Sequence, residues 1–202
     1  MMEIYIVRHG QTDYNKKRIV QGKGIDSCLN TTGLKQAQMF YDAYKDFAFE
    51  KLYTSPLTRA VQSIGLFEKH ISKVEQTDAL MEIGWGIHEG KRPTAKMKRE
   101  FNDMLNRWEQ GETTLRVKDG ESPLDVANRL TEFIEKIRSA PENKILLCSH
   151  GRTIRILLCL LQQQPISEMG GYLTNNLSVH KLNWDRETPA TLVQLNNQEH
   201  LH

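Results

Sequence analysis

Cysteine is scarce in this chain, and the three present, Cys28, Cys148 and Cys159, show neither CxxC pairing nor metal-ligand spacing. An odd count without such spacing excludes a disulfide framework and a cysteine-built metal centre, and a thiol in an apolar run behaves as a small hydrophobe. Reduced thiols and a cytoplasmic location are the expectation. Long hydrophobic runs are missing as well. No stretch approaches the ~18 apolar residues of a membrane span, and the N-terminus opens on a strand-like run rather than a basic segment followed by an apolar one. Neither membrane insertion nor secretion is expected. Nor is one sign of charge in excess: 27 Lys and Arg against 25 Asp and Glu leave a formal net charge of +2. Spread along the whole length, these charges offer no electrostatic footprint for nucleic acid. Internal repeats and low-complexity tracts are also absent. What is there is 202 residues, enough to bury one core, so a single domain over 1–202 is expected.

Hydrophobic periodicity divides this length into alternating elements. Residues 3–8 read as a buried strand. "TTGLKQAQMFYDAYKDF" (31–47) places Leu34, Ala37, Phe40, Tyr41 and Tyr44 at helical spacing behind threonine caps. A strand at 51–55 leads into a helix at 56–71, with Pro56 in its first turn, where a missing N–H costs nothing. A third strand is expected over 73–80. Residues 85–120 are charged and rich in Trp, Gly and Lys, and read as a lid-like insertion with one helix (94–109). An amphipathic helix (122–140), an apolar strand (144–150), a helix (151–162) and strands near 177–184 and 190–195 complete the chain. Strands alternating with helices predict an α/β, three-layer sandwich with a mainly parallel central sheet flanked by helices.

Two of these strands end in histidine followed by glycine, in "IVRHG" and "LLCSHG". Ligands of open α/β sheets lie beyond the carboxyl ends of the strands, so His9 and His150 are expected on one rim. Arg59, one turn into the helix after "KLYTS", projects near the same rim. Two arginines and two histidines beside a helix N-terminus suit a dianion, most simply phosphate. Other polar residues carry plainer readings. Asp13 and Asp26 suit turns or caps. His88 and Lys91 flank Gly90, either at a pocket mouth or on the surface. His180 suits a packed or edge position, and His200 and His202 fall in a polar tail expected to be disordered.

In one order along the chain stand "RHGQTDYN", "QG" (21–22), "LNTTGLKQAQ", "SPLTRAVQS", "MEIGWGIHEG", "GES" (120–122) and "SHG". Together they resemble the histidine phosphatase superfamily, the phosphoglycerate mutase-like fold, over essentially the full length. The resemblance implies a phosphohistidine mechanism in which His9 is the nucleophile, Arg8, Arg59 and His150 line the phosphate pocket, and Glu82 is the proton donor. It places Asn15 and Gln21, with Gly22 and Gly151, at the phosphate or nearby substrate oxygens.

The chemistry fits these residue types. A neutral imidazole held in one tautomer is a nucleophile near pH 7, and arginine forks match the oxygens of a transferring phosphoryl group. No metal and no cofactor are required, and the partner is a small phosphorylated metabolite. The mutases of the superfamily carry a longer insertion after the acid and usually Asn-Ser after the second His-Gly, where this chain has "HGRTIR". The expected activity is phosphomonoester hydrolysis. The alternatives are a 2,3-bisphosphoglycerate-dependent phosphoglycerate mutase and a non-catalytic phosphate-binding regulatory module. Arg152 and Arg155 either extend the pocket toward a second anionic group or, for Arg155, lie on a solvated helix face.

Overall fold

A computed structural model describes residues 1–202. Its centre is β1 (Met2–Arg8), whose alternation sends Met2, Ile4 and Ile6 into one core and Tyr5 and Val7 into another. A strand with apolar residues on both faces has to be covered on both. The chain supplies a helix layer for each side. The helices α2 (Thr31–Tyr44) and α3 (Thr58–Ile64) bury Ala37, Phe40, Ala60 and Ile64 in the Tyr5 core. On the opposite face α5 (Pro123–Arg138) and α6 (Gly151–Leu161) bury Leu130, Ile134, Ile154 and Leu158 in the Ile4 core.

The sheet has the order β3-β2-β4-β1-β5-β6, with β2 (Lys51–Thr54), β3 (Val74–Gln76), β4 (Lys144–Ser149), β5 (Val179–Trp184) and β6 (Thr191–Asn197). The pairs β1·β4, β4·β2 and β2·β3 are parallel, and β5 and β6 add antiparallel strands at one edge. This is the expected sandwich. In the β1·β4 register Arg8 lies opposite Ser149, so the residues that follow, His9 and His150, leave neighbouring strands side by side. Beyond His9 the chain passes to α2 on one face, and beyond His150 it passes to α6 on the other. The crevice opened by that divergence is the topological switch point of the sheet.

Several local expectations are corrected. The N-cap of α2 is Asn30, whose side chain accepts from the Gly33 N–H, not a threonine. Leu34 is exposed, since the apolar stripe of α2 is narrower than its periodicity suggested. Pro56 precedes α3, which starts at Thr58 behind Leu57, whose own side chain makes no cap. The strand expected over 73–80 pairs only over Val74–Gln76, because Asp78–Leu80 turns into a 3-10 helix capped by Thr77. A short α1 (Asp13–Lys17), capped by a reciprocal Thr12/Asn15 box, was not expected. The 85–120 segment carries α4 (Ala95–Glu109), anchored by a Trp108 side chain that is 1% exposed and packed into the main core. The C-terminal tail is packed: Glu199–Leu201 is helical, and the His200 ring meets Phe40 and Tyr44 at 5.4 and 5.6 Å. An aromatic patch on α2 gave the tail an apolar partner that its polar sequence did not announce. No helix is long and apolar enough to cross a membrane.

Candidate active site

The floor of the crevice is polar and buried: His9 is 2% exposed, Arg59 and His150 0%, and Glu82 8%. His9 Nδ1 lies 2.7 Å from the Gly10 carbonyl oxygen. A carbonyl only accepts, so Nδ1 carries the proton and Nε2 keeps its lone pair. Burial first, then the positive charges of Arg8 and Arg59, hold the His9 pKa well below 6.5. The His9 loop is braced from several elements. Ser63 Oγ on α3 accepts from the Gly10 N–H (2.8 Å), and the Asn176 side-chain amide donates to the His9 carbonyl (2.9 Å). Gly33 is required on the other side, because a Cβ there would stand 2.2 Å from the Gln11 carbonyl oxygen.

Arg8 lies beside Gly151, its Nε 3.5 Å from where a Cβ of residue 151 would stand. One end of its guanidinium is held, Nη1 donating to the Thr174 carbonyl (2.8 Å), while its buried Nε has no partner within the protein. A buried guanidinium N–H left unpaired is costly unless an anion comes to it. The amides Asn15 and Gln21 share one arrangement. Asn15 Oδ1 accepts from the Thr12 N–H (3.1 Å), and Gln21 Oε1 accepts from Ser27 Oγ (2.7 Å) and Thr12 Oγ1 (3.2 Å). Both carbonyl ends are tied to the loop, which leaves the NH2 ends as the available donors. Gly22 enters through close packing, since a Cβ there would stand 2.0 Å from Glu89 Oε1, and through its carbonyl, which accepts from Arg59.

Arg59 and His150 depart from their expected postures. The Arg59 fork donates to the Ile25 carbonyl (2.5 Å), the Gly22 carbonyl (3.2 Å) and His150 Nδ1 (3.2 Å). Of the five guanidinium N–H groups, those three bonds leave two for a ligand. Since His150 Nδ1 accepts, its Nε2 carries the proton and donates to Ser55 Oγ (2.8 Å). Both nitrogens are thus occupied by protein, and the ring, 5.0 Å from that of His9, supports Arg59 rather than presenting a free donor. Burial lowers the Arg59 pKa to about 10, opposed by Glu82 and Asp26. Asp26 itself caps α3 through the Thr58 N–H (2.7 Å).

Glu82 sits on the N-terminus of α6. Its carboxylate accepts from the N–H groups of Ile83 (2.9 Å), Arg152 (3.2 Å) and Thr153 (3.2 Å), a favourable place for a negative charge. Periodicity and spacing missed the side chains that hold this segment. Arg129 on α5 donates to the carbonyls of Ala79 and Met81, and Glu121 Oε2 accepts from the Gly84 N–H (2.8 Å). The signal for Glu121 was the "GES" motif; Arg129 read only as the polar face of an amphipathic helix. Thr12, Ser55, Ser63, Thr174 and Asn176 were also missed, being common residue types with no pattern of their own. His88 lines a cavity with Gln21, Trp85 and Phe101, while Lys91 is exposed. His180 is fully buried in a strand flanked on both sides, so it is packed and not at an edge.

The family model described as the histidine phosphatase superfamily, branch 1, matches residues 4–198. The chain belongs to the histidine phosphatase superfamily. It is similar to a putative phosphoserine phosphatase of Hydrogenobacter thermophilus, 26% identical over 99% of this chain and 98% of that one. It is also similar to a probable phosphoglycerate mutase of Proteus mirabilis, 27% identical over 91% of this chain and 86% of that one. Among solved structures, a mycobacterial glucosyl-3-phosphoglycerate phosphatase superimposes with a TM-score of 0.85 at 24% identity, over 98% of this chain and 100% of that one. The protein is therefore an enzyme of the histidine phosphatase type.

Three buried histidines have a thermodynamic consequence. Burial, reinforced by neighbouring arginines, holds His9 and His150 well below 6.5 and His180 at about 4. In the unfolded chain all three titrate near 6.5, so below that pH the unfolded state binds more protons and folding stability falls. The contribution is present above about pH 6.5 and is lost progressively as pH falls from there toward the folded-state values, about 4 for His180. Urea unfolding is expected to show roughly 3 kcal/mol less stability at about pH 5.5 than at pH 7. A flat profile across that window would mean that these imidazoles take up protons in the folded state.

Proposed function

We propose that the protein hydrolyses small phosphomonoesters through a phosphohistidine formed on His9. The observation that carries this reading is the His9 tautomer: the Nδ1–H bond to Gly10 leaves Nε2 as a neutral lone pair on the floor of a cationic crevice. The substrate phosphate takes the unpaired Arg8 Nε–H, the two free N–H groups of Arg59 and the amide NH2 ends of Asn15 and Gln21. The phosphate dianion beside Glu82 favours its protonated form; Nε2 attacks phosphorus as the P–O bond to the leaving group breaks, and the leaving oxygen takes that proton from Glu82. In the second half Glu82, now a carboxylate, removes a proton from water as that water attacks phosphorus. The P–N bond breaks, its electron pair returns to Nε2, and inorganic phosphate departs. Positioning and charge stabilisation carry most of such a transfer.

The reading as a phosphoglycerate mutase differs in one step, since a mutase keeps the phosphohistidine from water and returns the group to a second substrate oxygen. Supporting hydrolysis here is the short 85–120 segment. Its α4 leaves a cavity of about 370 Å³ lined by Gln21, Trp85, His88 and Phe101, beside the amide assigned to the phosphate. Phosphate release and 3- to 2-phosphoglycerate interconversion should be measured side by side, with and without 2,3-bisphosphoglycerate. Steady, primer-independent phosphate release is expected. Primer-dependent interconversion with little phosphate release would replace hydrolase by mutase.

A further inference from the structure

Two basic runs far apart in sequence meet outside the crevice. "KKR" (16–18) ends α1, and "KRP" (91–93) leads into α4. A pair of backbone bonds holds them together, the Val20 N–H donating to the Lys91 carbonyl (3.0 Å) and the Gly90 N–H to the Val20 carbonyl (2.9 Å). Between α1 and α4 lies a concave basin of about 560 Å³, lined by five cations, Lys16, Lys17, Arg18, Arg92 and Lys98, and by one carboxylate, Asp13. All five cations are exposed, and none pairs with a carboxylate. Their neighbours in sequence do find partners, Lys23 with Glu121 and Lys96 with Glu100. Like charges gathered without counter-charge repel and weaken the fold that gathers them. Arg18 adds a second cost, since it ends α1 in the left-handed region, φ 52°, where glycine is the usual residue. Strain and repulsion at one place point to a ligand that repays both.

The lining identifies the ligand's chemistry. No apolar or aromatic side chain stands among the cations, so nothing in the basin stacks on a base or receives an acyl chain. Charge is what it reads. Its volume is many times the ~30 Å³ of a water molecule, more room than a single phosphate fills, and its concavity suits a compact anion better than a flat membrane surface. The geometry points to a binding site for a small polyphosphorylated molecule, one carrying three or more linked phosphates. Arginine forks grip phosphate oxygens in pairs while lysines add point charges along the chain. None of the residues assigned to the transferred phosphate lines the basin, so this ligand is distinct from the substrate of the crevice. Pro93 and Lys98 form the wall shared with the cavity beside Gln21. A bound polyphosphate therefore joins α1 to α4 next to the site.

The test is calorimetric titration of the protein with tripolyphosphate, ATP and AMP, in metal-free buffer holding enough orthophosphate to fill the crevice. Tripolyphosphate and ATP are expected to bind once per chain, and AMP at least about tenfold more weakly, one tenfold step being the loss of a single charge-assisted contact. Raising the salt from about 50 to 300 mM should weaken both, because exposed charges are screened. The source of the phosphates follows from the pair: ATP bound more tightly than tripolyphosphate assigns a nucleoside triphosphate, and the reverse assigns inorganic polyphosphate. Lys17→Gln, Arg18→Gly and Arg92→Gln should each cost about three- to fivefold in affinity, the size of an exposed ion pair, and the triple variant on the order of 50-fold. Asp13→Asn should tighten binding. Arg18→Gly should also unfold at the same or a higher temperature than the wild type, since glycine relieves the left-handed cap. Displacement of tripolyphosphate by orthophosphate would put the ligand in the crevice and overturn the basin. So would AMP binding as well as tripolyphosphate, or an unchanged affinity in the triple variant. Binding itself needs no turnover, so the outcome stands apart from that of the hydrolase reading.

Discussion

His9→Ala is expected to lose at least about ten-thousandfold in turnover, and all of the acid-labile, base-stable label that the wild type retains when quenched with labelled substrate. The expectation rests on geometry. His9 Nε2 is the nitrogen left free by the Nδ1–H bond to Gly10, while both nitrogens of the neighbouring His150 are committed, to Arg59 and to Ser55. No second imidazole can take over without breaking the network that holds Arg59. Because the His9 side chain's own bond is to the next residue's carbonyl, the loop keeps its braces from Ser63 and Asn176 when the ring is removed. Added imidazole should enter the vacated space and restore part of the activity. Acid-labile label persisting in the variant would place the phosphoryl group on another residue and end this assignment.

Glu82→Gln should separate substrates by leaving group. Phosphoenzyme formation from esters of poor alkoxide leaving groups is expected to slow by about 100- to 1,000-fold, within the range of positioned acid–base catalysis, and from p-nitrophenyl phosphate by less than tenfold, since its phenolate leaves without a proton. The carboxylate accepts from Ile83, Arg152 and Thr153. A glutamine can keep only part of that set, because its NH2 end turns a donor toward N–H groups. Pre-steady-state phosphate release from the phosphoenzyme should slow as well, so phosphohistidine accumulates. Equal slowing of both substrate types would mean that Glu82 shapes the pocket without moving a proton.

Much of the architecture was legible in the sequence alone, because it depends on short-range patterns. Apolar runs of strand length alternating with helical periodicity, and two strands closed by His-Gly, were enough to expect an α/β sandwich with His9 and His150 on one rim. Adjacency of β1 and β4 places them there. The motifs in their order were enough to indicate the superfamily.

Tertiary structure alone decided which partner each site residue takes. The His150 tautomer depends on Arg59 and Ser55, 91 and 95 residues away in sequence. The Glu82 segment is held by Arg129, and the His9 carbonyl by Asn176, 167 residues distant. The packing of His200 on Phe40 and the exposure of Leu34 are decisions of the same kind. Periodicity states which face of an element is buried, but not which distant side chain it will meet. Hydrogen-bond direction, desolvation and the availability of a counter-ion are properties of that meeting, and they exist only once the sheet has brought the strand ends together.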